Sequence, residues 1–266
     1  MSDSDPAVRL SQALRAAAAR LGCFAERVGY LPETASTNDK AIELALGGAP
    51  EGTTVVAGGQ TAGRGRRGQV WSSPPDAGLY ASVVLRPPAL APLVTLMCGV
   101  AIADAVRQLT ELEVALKWPN DLVVERLGRR KLGGILAEAG TSASGLAHVV
   151  VGFGINVRTA PRPDAEAGDA TSIEAEGASV PPLETLLVEV LAALVSCRTA
   201  MVAGQTGAIL DRWRALSPSS VDAAVELAGS GGARRGTTAG IDADGALLVR
   251  VEGEIERVVA GVVRWV

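Results

Sequence analysis

Between Gln60 and Trp71 the chain reads Gln-Thr-Ala-Gly-Arg-Gly-Arg-Arg-Gly-Gln-Val-Trp, and this stretch constrains the fold more than any other. Glycines at 63, 65 and 68 weaken both helix and strand, so a loop between two regular elements is expected there. Glycine also takes φ > 0 and lets backbone come close to a ligand. Arg64 and Arg66 are two residues apart and share a face of an extended chain, so they would converge on one anion while Arg67 points away. A solvated basic hairpin tip or an RNA-binding Arg-Gly loop is the blander reading. The same residues spell Gly-x-Gly-x-x-Gly, but the dinucleotide fingerprint needs a helix to open at that point. Trp71-Ser72-Ser73-Pro74-Pro75 follows instead, and its prolines oppose a helix.

The flanking patterns make the loop part of a mixed α+β chain. Leu10, Leu14 and Leu21 predict a helix over 6–21, and Phe24–Leu31 a strand. Ser36 and Thr37 stand at an N-cap before Ala41, Ile42, Leu44 and Ala45. Thr53–Ala57 and Leu79–Leu85 read as strands on either side of the loop, the second closed by Pro87-Pro88. Leu93 to Leu109 carries the strongest helical period. Val114–Lys117 is a strand that ends on a lysine, then bends at Pro119 into Asn120 and Asp121. Arg129-Arg130 form a hairpin tip, Lys131–Ala139 returns, and His148–Val157 is a further buried strand. A Pro-, Ala- and Gly-rich loop over 159–181, including Asp169-Ala170-Thr171-Ser172, leads to an amphipathic helix at Leu183–Val202 and a shorter one through Trp213. Ser217-Pro218-Ser219-Ser220 reads as a junction, so a main domain over 1–218 and a small β-barrel over 219–266 are expected. Ala246–Val251 and Glu256–Trp265 are the barrel's clearest β runs.

Composition narrows the chemistry. One histidine, His148, in 266 residues rules out a histidine-based triad, and the net charge of −4 argues against bulk nucleic-acid binding. Cys23, Cys98 and Cys197 are too scattered for a metal knuckle and read as reduced core residues. An acidic N-terminus without a basic n-region, and no uninterrupted apolar run of ~18 residues, point to a cytoplasmic chain without a membrane segment. Of 25 basic residues only Lys40, Lys117 and Lys131 are lysine, and lysine, unlike arginine, is a compact charge with an adjustable pKa. A glycine-arginine loop, a strand-end lysine and Gly-rich strands suit an anionic transition state held by fixed cations. Attack of a carboxylate on the α-phosphate of ATP fits, because the substrate brings its own nucleophile.

Five motifs then occur in order: Ser36-Thr37-Asn38, Gln60 with the loop to Trp71, Lys117-Trp118-Pro119-Asn120-Asp121, Leu132-Gly133-Gly134-Ile135-Leu136, and Gly152-Phe153-Gly154-Ile155-Asn156-Val157. Together they resemble the biotin protein ligases over about residues 30–172. The resemblance implies a mixed sheet flanked by helices, of the class II synthetase-like biotin–lipoyl ligase type, with a C-terminal SH3-like β-barrel. It implies synthesis of biotinyl-5′-AMP from biotin and ATP with Mg²⁺, then transfer of biotin to a lysine of a biotin carboxyl carrier domain of a biotin-dependent carboxylase. By the same resemblance, Lys117 and Arg64 are catalytic, and Ser36, Thr37, Gln60, Gly63, Arg64, Arg66, Lys117 and Gly134 surround biotin. Arg66, Trp71, Asn120 and Asn156 hold the nucleotide, and Asp121 is a candidate metal contact. Trp118 has plain core packing as its competing role. Gln69 stands where the family usually has a further basic residue. Too few residues precede Ser36 for an ordinary winged helix, so a monofunctional ligase without nucleic-acid or membrane partners is expected; a homodimer is compatible with the sequence. The competing activities are lipoate or octanoate transfer, which shares the fold, and the RNA-binding loop.

Overall fold

In the computed structural model, which describes residues 5–86, 91–126, 128–142, 145–161, 170–229, 232–259 and 261–266, the chain starts with α1 (Pro6–Ala16), capped by Asp5, and a single turn α2 (Ala18–Leu21). The one helix expected over 6–21 is therefore broken at Ala17. Gly22 at φ +55° ends it. The expected strand from Phe24 is shorter, because Gly22–Glu26 forms a 3₁₀ turn that drives Phe24 into the core and only Val28–Leu31 (β1) is extended.

Helix α3 (Thr37–Leu46) begins at Ser36, whose Oγ accepts the Asp39 N–H at 3.4 Å. Strands β2 (Thr54–Ala57) and β3 (Gly78–Leu85) follow, both buried throughout. After α4 (Ala91–Thr110) come β4 (Val114–Lys117), β5 (Asp121–Val124), β6 (Arg130–Ser142) and β7 (Gly145–Asn156). Helices α5 (Leu183–Val202) and α6 (Thr206–Leu216) complete this part. The seven strands form one mixed sheet in the order β1-β2-β3-β7-β6-β5-β4, parallel only between β1 and β2. The Pro87-Pro88 strand stop and residues 162–169 of the 159–181 loop, Asp169 included, lie outside the described residues.

Strand alternation separates two faces of the sheet. Val83, Leu85, Val149, Val151, Phe153 and Ile155 join the main core with α4 and α5, whereas Val84 and Val150 pack with Ala41 and Ala45 of α3. By the same register Ser82, Gly152, Gly154, Gly134 and Glu138 look out on the α3 face. At Gly134, Gly152 and Gly154 that face is bare backbone, and the cleft described below opens over it.

A second, antiparallel sheet follows the 3₁₀ turn Pro218–Ser220: β8 (Val221–Gly229), β9 (Gly232–Ile241), β10 (Leu247–Val251), β11 (Glu254–Val258) and β12 (Val262–Trp265), in the order β11-β10-β9-β8-β12. The run Glu256–Trp265 is thus two strands rather than one. Strands β8 and β9 escaped sequence reading because β9 opens with exposed positions including Arg234 and Arg235 and shows no apolar alternation there. Val225, Leu227, Ile241, Leu247, Val249 and Val251 are continuous with the main core, and Trp118 Nε1 donates to Gly245 O at 3.0 Å. Trp118 is therefore a core residue that ties the two sheets together.

Among the described residues, two helices are long and apolar enough to cross a membrane by length and composition: Pro92–Thr110 within α4, and α5. The expectation of no such segment counted uninterrupted apolar runs and so missed helices interrupted by a few charges. In the fold the two pack on each other and on the sheet. Cys98 is buried and Cys197 half-buried, with thiols pushed up by burial, Cys197 to about 11. Cys23 is exposed, contrary to its core assignment.

Candidate active site

A cleft of about 560 Å³ lies over the glycine floor, between α3, the 60–73 loop, the β4–β5 turn and the start of β12. Its α3 side is a polar shelf built to be rigid. Gln60 Oε1 accepts both Thr37 N, at 2.8 Å, and Thr37 Oγ1, at 3.1 Å, while its Nε2 donates to Ser73 Oγ. Ser82 Oγ lies 2.8 Å from Thr37 Oγ1 and 2.7 Å from Asn38 Oδ1. Asn38 Nδ2 donates to Glu138 Oε2 at 2.7 Å and to Leu136 O; a carboxylate and a carbonyl only accept, which fixes which end of the amide is nitrogen. Ser36, Thr37, Asn38 and Ser82 are all buried, and unpaired polar groups there would be costly. Hence the first turn of α3 is capped by the chain itself, Thr37 N by Gln60 and Asp39 N by Ser36, rather than left open to an anion.

The opposite walls are cationic. Arg64, Arg66, Arg67, Lys117, Lys131 and Arg264 line the cleft, against Asp121 as the one carboxylate among the described lining residues, although the whole chain carries −4. Arg64 makes a two-pronged contact with Glu138, at 3.1 and 2.7 Å, and reaches Asp39 at 2.6 Å. Those bonds, Glu138 first, raise its pKa. Arg66 instead reaches the neutral Asn120 Oδ1 at 3.1 Å, and Asn120 is held on β6 by two hydrogen bonds with the Ile135 backbone. Burial, and then Arg67 nearby, push the Arg66 pKa down.

The convergence of Arg64 and Arg66 on one anion is therefore not what this arrangement shows. Gly65 is extended, but Arg66–Gly68 is a 3₁₀ turn with Arg67 at φ +57°, and the two guanidinium groups have separate partners. Gly63 does not line the cleft. Its missing Cβ would stand 2.4 Å from Trp71 O, and Trp71 N donates to Gly63 O at 2.9 Å, so this glycine serves loop closure. Gly134 is on the floor, where a Cβ would meet Trp71 Cζ3 at 3.4 Å.

Trp71 lies over Gly154, whose Cβ would fall 2.3 Å from Trp71 Nε1, and that buried Nε1 has no hydrogen-bond partner. Lys117 Nζ sits 4.9 Å from the Trp265 ring centroid. Asn156 lines the cleft, with Nδ2 donating to Thr171 O at 2.9 Å. Asp121 is paired with Lys131 Nζ at 2.7 Å, and the described residues contain no group of three His, Cys, Asp or Glu able to hold a metal ion. Sequence reasoning left Lys131, Glu138, Ser82 and Trp265 without roles. The scarcity of lysine pointed at Lys131, and Ser82 is the one hydroxyl-bearing aliphatic position inside the apolar run Leu79–Leu85. Glu138 and Trp265 gave no signal, since their importance comes from pairing across the sheet and between the two sheets.

A sequence profile of the Biotin/lipoate A/B protein ligase family matches residues 30–156. The bifunctional ligase/repressor BirA of Salmonella typhimurium is 34% identical over 235 residues, which is 86% of this chain and 71% of that protein. The biotin–[acetyl-CoA-carboxylase] ligase of Mycobacterium tuberculosis is 36% identical over 186 residues, 65% of this chain and 66% of that one. The chain spans about half the length of the first curated relatives it matches. Among solved structures, the biotin protein ligase of Aquifex aeolicus in complex with biotin and ATP aligns with a TM-score of 0.77 at 27% identity, covering 91% of this chain and all of that one.

Proposed function

The chain belongs to the biotin/lipoate A/B protein ligase family, and from that premise we propose that it activates biotin with ATP and passes the biotinyl group to one lysine of a biotin carboxyl carrier domain. The observation that carries this reading is the cleft wall, six basic side chains to one acidic among its described residues, on a chain that is acidic overall. Such a wall suits charge that builds on a phosphate.

In the first step a carboxylate oxygen of biotin attacks the α-phosphorus. A new P–O bond forms as the bond to the β-phosphate oxygen breaks, and diphosphate leaves. Arg66 and Lys117 meet the charge on the pentavalent phosphorus, and Arg64 the biotin side of the mixed anhydride. The polar shelf of Ser36, Thr37 and Gln60 orients the ureido ring, a role suited to groups already locked in place. Trp71 covers the nucleotide, with Asn120 and Asn156 at its polar edges. In the second step the neutral amine of the carrier lysine attacks the acyl carbon and AMP leaves.

Asp121, with Asn120 beside it, would be the protein's contribution to holding magnesium brought in with the nucleotide, since one lysine-paired carboxylate is no dedicated cage. The ion would supply neutralisation of the leaving diphosphate. The free cysteines favour a cytoplasmic setting. The deciding experiment is ATP–diphosphate exchange with purified protein, run with biotin, with lipoate and with neither. Exchange that needs biotin is expected; exchange driven by lipoate, or none at all, rejects the reading.

A further inference from the structure

At the Asn156 end of the cleft, the segment from Ala170 to Ala178 straps the start of β6 to the end of β7. Lys131 O accepts Thr171 N at 2.9 Å, Asn156 O accepts Ile173 N at 3.1 Å and Val157 O accepts Glu174 N at 3.0 Å. Glu176 folds back on this strap with its side chain only 2% exposed. Its Oε1 accepts Arg130 Nη2, from β6, at 2.8 Å, and the Thr171 hydroxyl donates to the same oxygen. Thr171 O in turn accepts Asn156 Nδ2 at 2.9 Å, and Lys131 O lies 3.5 Å from that nitrogen. Two carbonyls around one end of the amide fix that end as nitrogen, which makes the other end, Oδ1, an acceptor on a residue that lines the cleft.

We propose that Glu176 and Thr171 are positioning residues for Asn156. The buried carboxylate holds Thr171, the Thr171 carbonyl holds the amide, and the amide selects a nucleobase that offers an amino group rather than a carbonyl. This rests on the reading in which Asn156 stands at the polar edge of the nucleotide. An unrestrained asparagine amide exchanges its donor and acceptor ends by a half-turn. Here the half-turn would set Oδ1 against Thr171 O, two acceptors with no proton between them. Thr171 is held from two sides, by its N–H on Lys131 O and its hydroxyl on Glu176. A carboxylate accepts that hydroxyl more strongly than a neutral group would, and Arg130 supplies the charge partner that a buried carboxylate requires. With Thr171 fixed, a 6-amino purine finds an acceptor, whereas a 6-oxo purine meets it with a second acceptor.

The test uses full-length Thr171→Val, Thr171→Ser, Glu176→Ala and the Thr171→Val/Glu176→Ala double variant. Biotin-dependent exchange is measured with ATP and with inosine triphosphate, which carries a carbonyl where ATP has its amine. Lost folding lowers both rates together, so the ratio of kcat/KM for the two nucleotides isolates the positioning role. Wild type should prefer ATP by about 10²-fold or more. Thr171→Val and Glu176→Ala should each cut that ratio about tenfold, and the double variant no further. Thr171→Ser, which keeps the hydroxyl, should stay within about threefold, and biotin affinity should be unchanged in all. A wild type that does not discriminate, an unchanged ratio in both single variants, a Thr171→Ser ratio as low as that of Thr171→Val, or additive losses in the double variant would each overturn it. A wild type without biotin-dependent exchange would instead refute the functional reading, and calorimetric affinities for the two nucleotides across the same variants would still decide the role of Glu176.

Discussion

Adding a single methyl at Gly152 tests the polar shelf directly. A Cβ there would stand 2.0 Å from Asn38 Oδ1 and 3.1 Å from Ser82 Oγ. Strand β7 is hydrogen-bonded to β3 on one side and β6 on the other, so the backbone cannot retreat and Asn38 must move. Moving it breaks a neutral hydrogen bond to Ser82 and a charge-assisted one to Glu138. At ~1 kcal/mol for the first and ~1.5–3 for the second, Gly152→Ala should cost about 2.5–4 kcal/mol. For a chain of this size that is a fall in Tm of roughly 5–15 °C. Asn38→Ala vacates the space that the methyl needs, so the double variant should be no less stable than Asn38→Ala alone. Urea denaturation of the four proteins then gives a coupling energy of about 2 kcal/mol or more. Biotin affinity should fall in Gly152→Ala, because Thr37 leaves Gln60 together with Asn38. An additive cycle, or a Gly152→Ala protein within ~1 kcal/mol of wild type, refutes the reasoning.

Three further outcomes follow from the geometry. Lys117→Ala and Arg66→Ala should each slow adenylate formation about 10²–10³-fold in single-turnover assays, whereas Arg64→Ala should slow it less and raise the KM for biotin; equal effects of the two arginines would contradict the pairing argued above. Gly154→Ala places a methyl 2.3 Å from Trp71 Nε1, so acrylamide quenching of tryptophan fluorescence should increase and the KM for ATP rise. Burial and the neighbouring Arg86 push the His148 pKa below its ordinary value, so the native state takes up a proton less readily than the unfolded one. Stability should be full above about pH 6.5 and decline as pH falls from there toward the depressed native pKa; His148→Gln should flatten Tm against pH in that window, and an unchanged slope would exclude His148 as its source.

Much of this architecture is legible in local patterns. The Ser36 cap, the strands around the glycine-arginine loop, the long α4 period and the span of α5 follow from side-chain spacing alone. What local spacing cannot carry is pairing between distant segments. The alternation Gly152-Phe153-Gly154-Ile155 announces a strand with one bare face, but only the register with β6 and β3 shows that Gly134 and Ser82 share it. Glu138 reads as an ordinary acidic residue at a strand end until Asn38, 100 positions away, and Arg64, 74 away, are found on its two oxygens. The arginines show the same limit: two-residue spacing implies a common face only while the chain stays extended, and the turn at Arg66–Gly68 ends that condition.

The resting partners of the cations explain how an acidic chain keeps a basic cleft selective. Unpaired, six clustered cations would draw any polyanion through a strong, poorly discriminating field. Arg64 is already bound by two carboxylates and Lys131 by one, so a ligand that engages them must replace bonds of comparable strength and gains little from charge alone. Arg66 differs. Its hydrogen-bond partner is a neutral amide, and burial together with Arg67 pushes its pKa down, offset in part by Asp121, so an incoming phosphate adds a charge partner where the chain supplies little. Attraction is thus strongest at Arg66, beside the loop, while Arg64 and Lys131 respond to a ligand that can replace their carboxylate partners. That arrangement favours one compact anion joined to a polar ring on the α3 shelf over an extended nucleic-acid backbone, which would have to displace Glu138, Asp39 and Asp121 together.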